Sequence, residues 1–176
     1  MSEAQDRIPL SYARGLAEKI KQELASHCER IEIAGSIRRQ KPMVKDIEIV
    51  AIPKPFDTGI FSTGIATVVN QWRCIKGELT PNSKYTQRML PEAVRLDLFL
   101  CTPQNWGWIF ALRTGSDDFN QFILLRKIRE AGYTAEDGYI CMNGSPIWVK
   151  EETDFFERIK MDFVPPEQRN YTHPYR

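Results

Sequence analysis

The sequence predicts an α+β protein: a mixed sheet with flanking helices, followed by a small C-terminal α+β part that is mainly helical. Three observations carry this expectation. Helical spacing over Ser11–Cys28 puts Leu10, Ala13, Ala17, Ile20, Leu24 and Cys28 on one side, with Glu18, Lys19 and Lys21 on the other. Alternation over Ala93–Cys101 sends Val94, Leu96, Leu98 and Leu100 one way and Arg95, Asp97 and Phe99 the other. Beyond Pro103 the period changes to helical, which divides the chain into 1–103 and 104–176.

Between these landmarks the elements follow from period and punctuation. Ile31–Ala34 reads as a short strand broken by Gly35-Ser36, and Asp46–Ile52 as a second strand ended by Pro53 and Pro55. Phe56–Gly64 is loop-like and Ile65–Trp72 a short helix. Lys84–Leu90 pairs in pattern with Ala93–Cys101 around a turn at Pro91. Asn105–Arg113 and Asp117–Ala131 are helical on either side of Thr114-Gly115-Ser116, with Gly132 stopping the second. A hairpin at Tyr139–Val149, a short helix at Thr153–Ile159 and a proline-containing tail complete the chain. Trp106, Trp108 and Phe110, at helical spacing, belong to a core.

A chain of 176 residues with 42% hydrophobic and 27% charged residues has the composition of a globular protein. It contains no apolar run of about twenty residues, and Met1–Ile8 is polar and acid-containing, so a soluble, unsecreted, cytoplasmic protein is expected. Cys28, Cys74, Cys101 and Cys141 lack the close pairing of a zinc or dithiol site; reduced thiols follow, with Cys74 and Cys101 buried as small hydrophobes. His27 and His173 are too isolated for metal or acid–base work. The net charge of +1 excludes a globally basic nucleic-acid binder. Basic residues are instead local, at Arg38, Arg39, Lys41 and Lys45, at Lys84 and Arg88, and at Arg126, Lys127 and Arg129. Taken singly, each cluster also reads as a solvated face.

Two motifs carry chemistry. In Ala34-Gly35-Ser36-Ile37-Arg38-Arg39 a strand runs into a glycine with no side chain to keep an anion from backbone amides. Ser36 adds a hydroxyl, and Arg38 or Arg39 a guanidinium suited to phosphate oxygens. In Asp46-Ile47-Glu48 the period of a strand points both carboxylates to one face, where they repel unless a cation lies between them. Asp97 sits in an otherwise apolar strand and needs a metal, solvent or an arginine; taken alone, Arg95 is the favoured partner.

Gly35-Ser36, nine residues, then Asp46-Ile47-Glu48 with a later strand acid resembles the signature of the nucleotidyltransferase superfamily, and the chain looks like a family X DNA polymerase of the DNA polymerase beta kind. Arg95-Leu96-Asp97 is similar to that family's third-carboxylate strand. Thr114-Gly115-Ser116-Asp117-Asp118-Phe119-Asn120 is similar to its nucleotide-binding turn and helix, and Phe163-Val164-Pro165-Pro166-Glu167-Gln168-Arg169 to its ending. The resemblance spans about Ile31 to Arg169 with gaps, in a minimal form similar to the small viral members.

The resemblance implies a palm-like catalytic domain at 1–103 and a C-terminal nucleotide- and DNA-binding domain at 104–176. It implies two Mg2+ ions, with Mn2+ as a substitute, held by Asp46 and Glu48 together, with Asp97 on the ion that activates the 3′-hydroxyl. Gly35, Ser36 and Arg39 would serve the triphosphate, with Arg38 beside them. Thr114, Gly115, Ser116, Asp117 and Asn120 would serve the nucleotide, with Asn120 reaching the minor-groove edge of the incoming base. Arg95 would orient Asp97. Apart from the resemblance, the local basic residues Lys84, Arg88, Arg126, Lys127 and Arg129 are the candidates for holding DNA, and each reads equally as a surface cation with no ligand. The implied reaction is template-directed addition of nucleotides to a 3′-hydroxyl, as in gap-filling repair. A transferase acting without a template, or on RNA or a small molecule, and an inactive nucleic-acid-binding module are the competing readings.

Three positions depart from the family pattern. Glu48 stands where aspartate is usual. Leu112 and Arg113 stand where an aromatic pair commonly flanks the incoming sugar, which leaves sugar discrimination open. The helix from Asn120 to Gly132 counts one residue more than in the best-known members, and no residue role is carried past Asn120.

Overall fold

The computed structural model describes residues 7–55 and 64–174. The expected loop at Phe56–Gly64 therefore lies outside the described residues apart from Gly64. The chain divides into two compact units, Met1–Leu100 and Cys101–Arg176. Both are mixtures of helix and sheet, as the patterning predicts.

The first unit opens with β1 (Ile8–Pro9) and α1 (Leu10–Ala25). Pro9 begins the helix with φ −60°, a value its ring fixes in advance. Next come β2 (Cys28–Ile33), the single turn α2 (Gly35–Arg38), β3 (Met43–Val44) and β4 (Asp46–Pro53). Then follow α3 (Ala66–Val69), β5 (Arg73–Lys76), β6 (Tyr85–Met89) and β7 (Arg95–Leu100). The five-stranded sheet runs in the order β2-β4-β7-β6-β5, antiparallel except for the parallel pair β4–β7. β1 pairs separately with β3.

The helix face read from the spacing is the one that packs. Ala13, Leu16, Ala17, Ile20 and Leu24 form one core with Ile31 of β2, Ile47, Ile49 and Ala51 of β4, and Leu96, Leu98 and Leu100 of β7. At about 1.5–3 kcal/mol for each large aliphatic side chain removed from water, this layer is what holds β4 against β7. Because side chains alternate, the same burial sends Asp46, Glu48, Arg95 and Asp97 to the opposite face. Cys28 begins β2 rather than ending α1, and β5 went unread in the sequence. All four residues of this edge strand are exposed, which also corrects the expectation for Cys74.

The second unit contains α4 (Trp106–Thr114), a π-helical turn (Phe119–Leu124), α5 (Leu125–Glu130), β8 (Thr134–Glu136), β9 (Tyr139–Met142), β10 (Ser145–Pro146), α6 (Glu152–Arg158) and a 3-10 turn (Pro166–Gln168). The single helix expected over Asp117–Ala131 is thus split by a π turn. A π turn takes up one more residue per turn than an α turn. Trp106, Trp108 and Phe110 are buried, as read. Gly107 lets α4 approach the chain ahead of α6, since a Cβ there would lie 2.0 Å from the Glu151 carbonyl oxygen. Arg169 is fully buried; its Nη1 lies 2.6 Å from Glu152 Oε1, and its Nε donates to the Val164 carbonyl. Among the described residues no helix is long and apolar enough to cross a membrane.

Candidate functional site

The register of the parallel pair decides which acids meet. Asp46 lies opposite Arg95 and Glu48 opposite Asp97, so the Asp-x-Glu of β4 and the Arg-x-Asp of β7 form a compact block on one face. Adjacent strands are about 4.8 Å apart, whereas residues i and i+2 along one strand are nearly 7 Å apart, so cross-strand neighbours interact first. This corrects the expected pairing of Arg95 with Asp97. Arg95 Nη2 stands 3.5 Å from Asp46 Oδ2 instead.

Asp97 is buried and takes its hydrogen bonds from β6. Tyr85 Oη donates to Asp97 Oδ1 at 2.5 Å, and Gln87 Nε2 donates to the same oxygen at 2.8 Å. Neither residue was recognised from the sequence. The signal was present in the hairpin around Pro91: antiparallel pairing sets Gln87 opposite Asp97 and Tyr85 opposite Phe99. Tyr85 stacks on Phe99 with centroids 5.1 Å apart, which fixes the phenol's reach.

Burial first, and the negative charge of Asp97 second, push the Asp46 carboxyl above its ordinary value of 3.8; Arg95, Lys45 and Arg7 pull it part of the way back. Burial is therefore the main reason that the charged form of Asp46 is disfavoured, with the neighbouring Asp97 adding to it. Glu48 lies against the turn that follows β2. A Cβ built on Gly35 would lie 1.7 Å from Glu48 Oε2, and Gly35 has φ +60°, so this position needs glycine twice over. Ser36, Arg38 and Arg39 are half-buried in and after this turn, close in sequence to the chain that packs on Glu48. The turn closes when Lys41 N donates to the Ser36 carbonyl, past Gln40 at φ 58°.

Among the described residues no group of three or more His, Cys, Asp or Glu side chains is arranged to hold a metal ion. The acids have protein neighbours instead: Arg95 at Asp46, Tyr85 and Gln87 at Asp97, and Gly35 against Glu48. Asp46, Glu48 and Asp97 share one face and offer only oxygen donors, the donor type a hard divalent cation takes.

In the second unit the Thr114–Asn120 segment is tied down from within. Thr114 is fully buried. Ser116 Oγ accepts from the Phe119 amide, as a helix-capping serine does, and donates to the Tyr171 carbonyl. Asp118 accepts from the His173 amide, and His173 stacks on Phe122 with centroids 4.0 Å apart. Asn120 donates to the Leu112 carbonyl at 2.8 Å and to Gly115 at 3.3 Å, so its amide nitrogen, expected at a base edge, here braces the turn. Asp117 is exposed, and Leu112 and Arg113 are half-buried.

Residues 110–170 match the family model of the DNA polymerase beta thumb. The thumb-matching segment contains the Thr114–Asn120 turn, the π turn, the small sheet, α6 and Arg169. A comparison with curated proteins gave no match.

The basic residues expected on DNA separate by burial. Arg88 is buried on β6, where it donates to Thr86 Oγ1, the Trp72 carbonyl and Asn70 Oδ1; it fills a structural role and is removed from the DNA set. Lys84, Arg126 and Arg129 are exposed and Lys127 is half-buried. Arg126 and Lys127 both reach Glu130, at 3.3 and 2.9 Å.

Proposed function

We propose that the protein is a metal-dependent nucleotidyltransferase of the DNA polymerase beta kind, adding nucleotides from nucleoside triphosphates to the 3′-hydroxyl of DNA, as in gap-filling repair. The observation that carries this reading is the β4–β7 register, which sets Asp46, Glu48 and Asp97 on one face of the five-stranded sheet. The match of residues 110–170 to the DNA polymerase beta thumb supports it independently, because it lies in the other compact unit and rests on different residues.

In this reading Asp46, Glu48 and Asp97 would hold the two Mg2+ ions, or Mn2+ in their place. Bound there, the cations would lower the pKa of the attacking hydroxyl and offset charge on the leaving pyrophosphate. The protein's own residues supply the placement. The sheet fixes the acids at strand spacing, Arg95 holds Asp46, and Tyr85 and Gln87 hold Asp97. Gly35, Ser36 and Arg39, with Arg38 beside them, bind the triphosphate through backbone amides, a hydroxyl and a guanidinium. Thr114, Gly115, Ser116, Asp117 and Asn120 are assigned to the nucleotide, with Asn120 acting through the turn it braces. Lys84, Arg126, Lys127 and Arg129 are assigned to the DNA backbone.

The test is primer extension on gapped and on single-stranded DNA, with each nucleoside triphosphate, with and without divalent cation. Incorporation directed by the template, dependent on the cation and lost in Asp97→Asn, is the expected result. Full activity in Asp97→Asn would overturn the assignment, and incorporation without a template would favour the template-independent reading.

A further inference from the structure

Both neutral donors on Asp97 converge on one oxygen. Tyr85 Oη and Gln87 Nε2 lie 2.5 and 2.8 Å from Oδ1, and a carboxylate oxygen has two lone-pair directions. Two donors fill them. The assignment of nitrogen rather than oxygen at Gln87 follows from chemistry, because an ionised carboxylate only accepts. The arrangement is fixed from both sides: Gln87 stands directly opposite Asp97, and the Tyr85 ring is held on Phe99 at an interplanar angle of 29°.

The kind of donor matters as much as the number. A lysine or arginine on this oxygen would neutralise Asp97 and compete with a cation. A phenol and an amide orient the carboxylate and leave its charge in place. The nearby arginine is spent on Asp46.

We infer that Tyr85 and Gln87 are positioning residues that close Oδ1 of Asp97 and leave Oδ2 as the single oxygen this carboxylate offers to a divalent cation. The inference rests on the proposed metal role of Asp97 and adds a selectivity to it. A carboxylate restricted to one oxygen suits Mg2+, which demands near-octahedral geometry with few, well-separated ligands. A carboxylate free to use both oxygens suits Ca2+, which takes bidentate acids and higher coordination numbers. The pair therefore biases the site against the larger cation.

The experiment is calorimetric titration of the full chain with Ca2+ alone and with Mg2+ alone, without nucleotide or DNA, for the native protein, Tyr85→Phe, Gln87→Met, the double variant and Asp97→Asn. Tyr85→Phe keeps the ring on Phe99 and removes only the donor. Relative to the native protein, the double variant should shift the ratio of Ca2+ to Mg2+ affinity toward Ca2+ by about tenfold, the lower end of what outer partners of metal ligands contribute. Each single variant should shift it part of the way, and thermal melting reports whether each variant is folded. An unchanged ratio in folded single and double variants, with Asp97→Asn altering cation binding, would overturn this inference alone. Cation binding and nucleotide addition both unchanged in Asp97→Asn would remove the metal role of Asp97 and the inference with it.

Discussion

The carboxylate of Glu48 rests on the bare Cα of Gly35, so close that a Cβ there would fall 1.7 Å from Oε2. The long Glu48 side chain thus faces a turn that carries no side chain of its own at this point. Gly35→Ala should destabilise the protein by the left-handed backbone term, about 1–2 kcal/mol, plus the displacement of Glu48. In a Glu48→Asp background the second part should shrink. Urea unfolding of the four proteins of this double-mutant cycle measures the coupling, and an equal loss in both backgrounds would show that the contact costs nothing.

The Arg169–Glu152 pair, at 2.6 Å with Arg169 fully buried, should be the most sensitive ion pair of the second unit. Removing one partner leaves the other buried and uncompensated, so Arg169→Ala should cost about 3–5 kcal/mol. The guanidinium also lies over the rings of Phe156 and Phe163, 4.8 and 5.2 Å from their centroids, and that contact is lost as well. Replacing both partners by apolar side chains of similar volume should recover much of the loss. A denaturation midpoint unchanged by Arg169→Ala would contradict this.

Arg88 makes a different prediction from the exposed cations. Arg88→Ala should lower the melting temperature, because Thr86, Trp72 and Asn70 lose a shared donor, while leaving the salt dependence of DNA binding unaltered. Arg129→Ala should reduce that dependence by nearly one unit of log K against log salt and hardly affect melting. The reverse pattern would return Arg88 to the DNA surface.

Thiol chemistry reads the burial of the cysteines. Burial pushes Cys28 up to about 11, with Lys54 pulling it back in part, while Cys74 is exposed on β5. The thiolate is the reactive species, so at pH 8 the folded protein should show one fast-labelling thiol, lost in Cys74→Ser. Cys28, Cys101 and Cys141 should react only on unfolding. Fast labelling of two or more thiols in the folded protein would contradict these environments.

Local period made much of the fold legible. The alternation at Val94–Leu100 and the acids of Asp46-Ile47-Glu48 fall on the faces that their spacing assigns. What was not legible depends on register or close approach. Arg95 was paired with Asp97 by proximity in sequence, yet the strand alongside supplied a nearer acid, Asp46. Tyr85 and Gln87 carry no charge to draw attention, and their role emerges only once β6 is aligned on β7. Arg88 looked like a surface cation because sequence shows its charge and not the three acceptors that surround it. Gly107 carried no signal at all, since the neighbour that forbids a side chain there is Glu151, far along the chain.

The parallel pairing of β4 with β7 also bears on how the molecule assembles. β6 and β7 are joined by a tight hairpin and can meet within microseconds, but Asp46 and Arg95 are about fifty residues apart in sequence, and bringing them together costs the entropy of closing that length of chain. Tyr85, Gln87 and Asp97 can therefore form their cluster early, while Asp46 and Glu48 arrive only when the long-range contact closes. Until then the face has a single acid and no carboxylate repulsion. The electrostatic penalty of the finished site is met only when that long-range contact closes, together with the burial of Ile47, Ile49 and Ala51 against α1.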